Sequence, residues 1–164
     1  MEFIMKKEVG VNAVSQKAVQ GRASLLLGNL SPFNGSVERF ETDGRDVLVS
    51  ANQTFDSQRR AVLQILFEAD IQNGEHEYAA GGKIWSFIYF LYEKNSDGQE
   101  ESIPYSAVDD SGSVNVTFDP IAGTFRAVFK LKFQSGTQPP LEANGSFIDV
   151  SGLERVVKLA KPAQ

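Results

Sequence analysis

The sequence predicts an all-β protein, a single antiparallel β-sandwich of about eight strands, and three observations lead to that prediction. Apolar and polar residues alternate with a period of two along several segments, as in strands that bury one face. Dipeptides that favour turns separate these segments at short intervals, which does not suit βαβ units. One further segment has the aromatic and β-branched composition of a central strand. An up-and-down β-barrel with a cavity is the alternative.

The most regular alternation covers residues 124–134, where an apolar residue occupies every second position from Phe125 onwards. Five apolar side chains fall on one face, and the other face is polar apart from Val128, so only the first face is expected to be buried. Residues 113–118 repeat the pattern, and the five residues between the two segments include Pro120 and Gly123. This arrangement predicts a β-hairpin.

The other strands follow from composition and shorter patterns. Residues 84–92 are apolar on both faces apart from Ser86, which predicts a central strand. Residues 61–71 fit a strand better than a helix, because alternate side chains from Leu63 onwards share one apolar face. Further strands are predicted over residues 8–14, 21–27, 46–51 and 146–150, and an edge strand over residues 156–159.

A single domain is expected over residues 1–164, with flexible ends near residues 1–7 and 160–164. A chain of this length buries enough surface to form one core without disulfides. Turn dipeptides recur along the whole chain and argue against a division into two domains. They are Asn34-Gly35, Asp43-Gly44, Asn73-Gly74, Gly81-Gly82, Asp97-Gly98, Ser111-Gly112, Ser135-Gly136 and Asn144-Gly145.

Composition excludes several classes of function. Sixteen basic residues against 21 acidic ones give a net charge of −5, so no nucleic-acid partner is expected. The absence of cysteine excludes thiol catalysis, thiolate metal sites and a lipobox, and the single histidine, His76, excludes multi-histidine metal centres. No metal and no cofactor are therefore predicted. No apolar run approaches the roughly 20 residues of a membrane helix, so no integral membrane association is expected.

The N-terminal residues bear on the cellular compartment of the protein. The first residues lack the continuous apolar run of a signal peptide. We therefore expect a soluble protein, either cytoplasmic or secreted with its leader absent.

The aromatic strand is the first candidate ligand-binding surface. Trp85, Phe87 and Tyr89 are expected to share one of its faces, where aromatic rings either fill a core or stack on sugar rings and bases. The opposite sheet of a sandwich covers only one face of a strand. The second face, which carries Ile88 and Phe90 if Trp85 faces inwards, is expected to be open, covered by the first 30 residues, or covered in a homodimer.

A basic stripe on the polar side of the most regular strand is the second candidate surface. It consists of Arg126, Lys130 and Lys132. Such a stripe either contacts an anionic partner or is neutralised within the protein, here by Glu68 and Asp70 on another strand.

No catalytic residue is assigned. His76 lies between two glutamates that would suit an acid/base site, but its polar segment is typical of an exposed loop. The carboxylate pairs at residues 100–101 and 109–110 would serve a hydrolase only if two carboxylates met in a pocket. Neighbouring residues on a strand point to opposite faces, which works against such a meeting.

Four short motifs carry a resemblance to a known group of proteins. They are Ile103-Pro104-Tyr105-Ser106, the Ser-Gly-Ser-Val-Asn-Val segment at residues 111–116, Gly123-Thr124-Phe125 and Asn144-Gly145-Ser146-Phe147. Over about 45 residues this part of the chain resembles small, uncharacterised bacterial lipoprotein-like β-sandwich proteins. The resemblance implies a sandwich fold and no particular activity. This chain lacks the lipid-anchoring cysteine that such proteins usually carry.

These observations together predict a non-catalytic binding or interaction module. It is expected to contact a protein or a carbohydrate through its loops or an exposed sheet face. The alternatives are a carboxylate-based hydrolase and a barrel that binds a small ligand in its cavity.

Overall fold

The computed structural model describes residues 18–159, and this part of the chain forms eleven strands and no helix. The strands are β1 Gln20–Leu27, β2 Phe33–Thr42, β3 Asp46–Thr54, β4 Arg59–Glu68, β5 Gly74–Glu77, β6 Ile84–Lys94, β7 Glu100–Ala107, β8 Ser113–Asp119, β9 Thr124–Gln134, β10 Leu141–Ser151 and β11 Glu154–Arg155. Residues 18–159 thus contain no helix that is long and apolar enough to span a membrane.

All eleven strands belong to one sheet with the order β10-β1-β2-β3-β4-β6-β7-β9-β8-β5, while β11 pairs with β2. Every pairing is antiparallel except that of β11 with β2. Strand β9 also pairs with β10, so the sheet returns on itself as a ring, although it is not a barrel. The ring is joined at β7 and β9 by only two residue pairs. The predicted all-β antiparallel architecture is confirmed.

The core lies inside the folded sheet, where strands β4 and β6 face strand β9. The Phe87 ring of β6 meets Phe129 and Phe133 edge-on, with centroids 4.7 Å and 5.2 Å away. Phe67 of β4 stacks on Phe125 with centroids 5.1 Å apart. The five apolar residues that alternate along β9 are all at most 2% exposed, so the predicted inner face of this strand is confirmed.

The β8–β9 hairpin forms where the sequence predicts it, with residues 120–123 as its connection. The prediction over 61–71 is confirmed as a strand that ends at Glu68. The edge strand predicted over residues 156–159 is wrong, because the last strand, β11, ends just before them at Arg155. The strand predicted over residues 8–14 lies outside the described residues.

Strand β7, Glu100–Ala107, was not predicted, and neither were two others. The longer is β2, whose alternation is broken by a bulge between Val37 and Arg39. Asn34-Gly35, which the sequence presents as a turn, lies inside this strand. The shorter is β5, which carries His76 and pairs with β8, so the prediction of a histidine loop is wrong.

A second, smaller apolar cluster lies on the outer face of β4 and β6. It consists of Val62, Ile88 and Phe90, with Tyr92 packed against it. The Arg60 guanidinium lies 3.9 Å from the centre of the Tyr92 ring. The first 30 residues were one predicted cover for such a face. Their described part includes β1, which lies within the sheet between β10 and β2, whereas residues 1–17 are outside the described range.

Candidate functional site

The aromatic strand β6 does not present its three predicted ligand residues on one face. Pairing with β4 jumps from Leu66–Ser86 to Phe67–Ile84, so Trp85 is the extra residue of a bulge. The bulge reverses the phase of the strand, and Trp85 is 52% exposed while Phe87 and Tyr89 are 0% and 2% exposed. The prediction of a shared face is therefore wrong.

Phe87 and Tyr89 belong to the core rather than to a ligand surface. The Tyr89 ring packs edge-on against Phe33 with a centroid separation of 5.5 Å. Burial raises the pKa of Tyr89 to about 12, because the phenolate would lose its hydration there. Of the three aromatic candidates, only Trp85 presents its ring to solvent.

Trp85 lines a cleft of about 450 Å³ beside the turn that contains Gly81 and Gly82. The polar side chains on the cleft wall are Glu68, Tyr78 and Asp109. We call this feature the Trp85 cleft. It combines one exposed aromatic ring with carboxylates and a phenol, which is a common composition for small-ligand sites.

Local contacts fix the walls of the Trp85 cleft. The Asp110 amide donates to the Tyr78 carbonyl at 2.8 Å, and the Gly82 amide donates to the Ala79 carbonyl at 3.1 Å. Burial, together with the nearby Asp109 carboxylate, raises the pKa of Tyr78. The Tyr78 hydroxyl therefore keeps its proton at neutral pH and remains able to donate a hydrogen bond.

A lysine neutralises one of the two cleft carboxylates. Lys83 Nζ lies 3.1 Å from Glu68 Oε1 and 3.2 Å from Asp70 Oδ1. Glu68 and Asp70 were predicted as the alternative partners of the basic stripe, and this prediction is wrong because Lys83 binds both. Asp109 takes part in none of the ion pairs found among residues 18–159.

The basic stripe lies on the outer face of β9, as predicted, and all three of its side chains are exposed. Lys132 reaches Glu142 at 3.7 Å across the β9–β10 pairing. Arg126 and Lys130 occur in no ion pair within the described part of the chain. Two of the three predicted cations thus face solvent without a neighbouring carboxylate partner there.

Strands β10 and β1 extend this stripe into a wider surface. Lys130 pairs with Asn144, which pairs in turn with Leu26. Strand spacing places Lys130 and Leu26 about 10 Å apart on the same outer face. We call this surface the basic–apolar face and define it by Arg22, Leu26, Arg126, Val128, Lys130 and Ile148.

The basic–apolar face has a hollow centre with larger side chains around it. Its middle is formed by Ser24 and Ser146, whose hydroxyl oxygens lie 3.2 Å apart. Around them runs a shallow groove of about 420 Å³ whose lining includes Leu26, Val128 and Ile148. These three apolar side chains are 58%, 42% and 38% exposed. Small side chains in the centre and large ones around it make this part of the sheet concave.

Of the candidate catalytic groups, Asp109 lines the Trp85 cleft together with Glu68, whereas His76, Glu75 and Glu100 are held by local contacts elsewhere. His76 Nε2 lies 2.6 Å from the Gln72 carbonyl oxygen, and the Glu75 carboxylate accepts a hydrogen bond from Ser113 Oγ at 2.7 Å. Glu100 is held by Arg60 at 2.9 Å, and this hydrogen bond lowers the pKa of Glu100. In the part of the chain that the structure describes, no group of three or more Asp, Glu or His side chains is placed to hold a metal ion.

No family model matches this chain, and no curated protein or solved structure is detectably similar to it. The resemblance to bacterial lipoprotein-like β-sandwich proteins therefore stays a prediction. A function can be inferred here only from the chemistry and shape of the sites, because a fold alone does not define an activity.

Proposed function

We propose that this protein is a non-catalytic binding module, and that its basic–apolar face binds a segment of another protein that combines acidic and apolar side chains. One observation carries the proposal. Three of the six large apolar residues exposed within residues 18–159 surround a single groove, which Arg126 also lines. Arg22 and Lys130 lie on the same outer face, at positions next to the groove in the strand pairing. Exposed apolar groups that gather beside charges of one sign are typical of interaction surfaces.

Charge complementarity indicates an acidic partner. Arg22, Arg126 and Lys130 take part in no ion pair among the residues described. They form a local positive region on a chain whose net charge is −5. A partner that brings carboxylates to this region would gain electrostatic attraction, faster association and a preferred orientation. The Glu142 carboxylate beside Lys132 marks one limit of the positive region.

The shape of the face favours a protein segment over a lipid surface. Leu26, Val128 and Ile148 surround a concave centre instead of projecting from loop tips. A bilayer is best entered by projecting apolar groups, whereas a groove accommodates the side chains of an extended or helical segment. The net charge of −5 also opposes approach to an anionic membrane.

Recognition on this face must use side chains, because the strands beneath it have no free edges along the groove. Strand β10 is paired with β9 and β1, and β1 is paired with β10 and β2. A partner therefore cannot extend the sheet here by adding a strand. The apolar side chains are expected to supply the desolvated centre of the interface and the cations its charged rim.

Charge reversal on the basic–apolar face is expected to weaken binding of a model peptide ligand. A short fluorescent peptide that alternates glutamate with leucine and phenylalanine is titrated with the protein, and its anisotropy is measured. Saturable binding that weakens with rising salt is expected. Arg126→Glu and Lys130→Glu are each expected to lower the affinity about tenfold or more, because each replaces an attraction by a repulsion.

Lys94→Glu is the matched control for these variants. It makes the same change in net charge on an exposed residue at the end of β6, which contributes nothing to the face. It is expected to change the affinity by less than about twofold. Equal binding of a peptide with lysine in place of glutamate, or an equal loss in Lys94→Glu, would contradict the proposal.

A further inference from the structure

We infer that the Trp85 cleft is a second, separate binding site, and that its ligand is a neutral carbohydrate. This inference does not rest on the proposed function of the basic–apolar face, since the two surfaces share no residue. The bulge in β6 turns the large Trp85 ring outwards, although Ile84 before it and Phe87 two residues after it remain in the core.

The exposed ring provides a stacking surface. A half-exposed indole leaves a large apolar surface in contact with water, and at Trp85 this surface lies beside a cleft. The C–H groups on one side of a pyranose ring form an apolar patch that packs flat against an aromatic face. Such packing suits a single indole at the wall of a cleft, where one sugar ring is held against it.

Polar groups around the ring match the hydroxyls of a sugar. The Asp109 carboxylate can accept hydrogen bonds from two adjacent hydroxyls, and these bonds are stronger than neutral ones because the acceptor is charged. The carboxylate only accepts hydrogen bonds, whereas the protonated Tyr78 hydroxyl can also donate one. Both residues line the cleft together with Trp85. The volume of about 450 Å³ lies within the range of small-ligand sites.

The negative charge of the cleft favours neutral carbohydrates over acidic carbohydrates and nucleotides. Lys83 binds Glu68 and Asp70, while Asp109 remains unneutralised by any ion pair in the described residues. The cleft wall therefore carries a negative charge that repels uronic acids, sialic acids and the phosphates of nucleotides. Neutral hexoses and their oligomers meet no such repulsion, and they present the hydroxyls that a carboxylate binds.

The experiment uses the fluorescence of Trp85, which is the only tryptophan in the chain. The full-length protein is titrated with neutral oligosaccharides of glucose, mannose, galactose, xylose and N-acetylglucosamine, and with oligogalacturonate as the charged comparison. A saturable change in emission is expected with at least one neutral series and not with oligogalacturonate. If no neutral sugar changes the emission, or oligogalacturonate binds equally well, the inference is wrong.

Two variants separate stacking from hydrogen bonding, with affinities measured by calorimetry so that loss of the fluorophore does not matter. Trp85→Ala is expected to abolish sugar binding, and Asp109→Asn to weaken it about fivefold or more. Circular dichroism checks that both variants remain folded. Lys130→Glu, on the basic–apolar face, is expected to leave sugar affinity unchanged. Sugar affinity that survives in Trp85→Ala would overturn the assignment even if the protein binds carbohydrate elsewhere.

Discussion

A chain that begins at Ser31 is expected to lose cooperative folding, because this deletion removes β1 from the middle of the sheet. Strand β1 is hydrogen-bonded to β10 on one side and to β2 on the other. Its residues Ala23, Leu25 and Leu27 are at most 3% exposed. Losing the two leucines alone removes about 1.5–3 kcal/mol of burial energy each. Two newly unpaired strand edges add to that loss, which approaches the roughly 5–15 kcal/mol stability of a typical domain.

Urea unfolding followed by circular dichroism measures this effect. A chain that begins at Ala18 is the comparison, because it retains β1 and lacks only the residues before it. The chain from Ser31 is expected to show no cooperative transition and poorly dispersed amide resonances. If both shortened chains unfold at the same urea concentration with the same slope, β1 is not an integral strand of the sheet.

Replacing Phe129 by alanine is expected to cost about 3–5 kcal/mol of unfolding free energy. The Phe129 side chain is 2% exposed, and its ring centroid lies 4.7 Å from that of Phe87 and 6.4 Å from that of Phe147. Truncation would open a cavity between β6, β9 and β10, and the rigid rings of Phe87 and Phe147 could not move far enough to fill it. Denaturant unfolding of the variant and the unaltered protein gives the difference directly.

Lys130→Ala is the matched control, since Lys130 is the next residue of β9 and points to the opposite face. Its loss is expected to be under about 0.5 kcal/mol, because the side chain is exposed and forms no ion pair with the other described residues. Comparable losses of unfolding free energy in the two variants would mean that the inner and outer faces of β9 are assigned incorrectly.

The hairpin of β8 and β9 could be predicted because nothing interrupts its alternation. Each apolar residue of β9 from Phe125 to Phe133 is buried, and period two alone determines that face. Period two alone assigns the wrong face to Trp85 in strand β6. A bulge adds one residue and shifts the phase, and the aromatic sequence around Trp85 gives no local sign of it.

Glycines help to explain why β2 was not predicted and why the strand predicted over residues 146–150 is shorter than β10. Asn34-Gly35 and Asn144-Gly145 have turn composition but lie inside strands. A Cβ on Gly35 would lie 2.9 Å from the Asn52 carbonyl oxygen, and one on Gly145 would lie 2.7 Å from the Phe129 ring. Glycine is required at both positions by close packing across the sheet, which a single sequence cannot distinguish from the requirement of a turn.

The basic–apolar face could be predicted only in part. Arg126 and Lys130 follow from the phase of β9, but Leu26 lies in a run of three leucines that conceals which of them faces outwards. Ile148 joins the face through the pairing of β10 with β1, strands separated by more than a hundred residues. Such a surface is assembled by sheet topology, and a pattern along one strand carries no information about that topology.

Mapping the bound acidic–apolar peptide by amide chemical-shift changes tests the central claim most directly. Binding at the basic–apolar face predicts that the largest shifts fall on three segments around the groove, residues 22–26, 126–130 and 144–148, and that amides of the Trp85 cleft stay unchanged. Arg126→Glu should reduce the shifts in all three segments together, because they contact one ligand. The largest shifts on other strands or on loops remote from the groove, or shifts that persist undiminished in Arg126→Glu, would contradict the account.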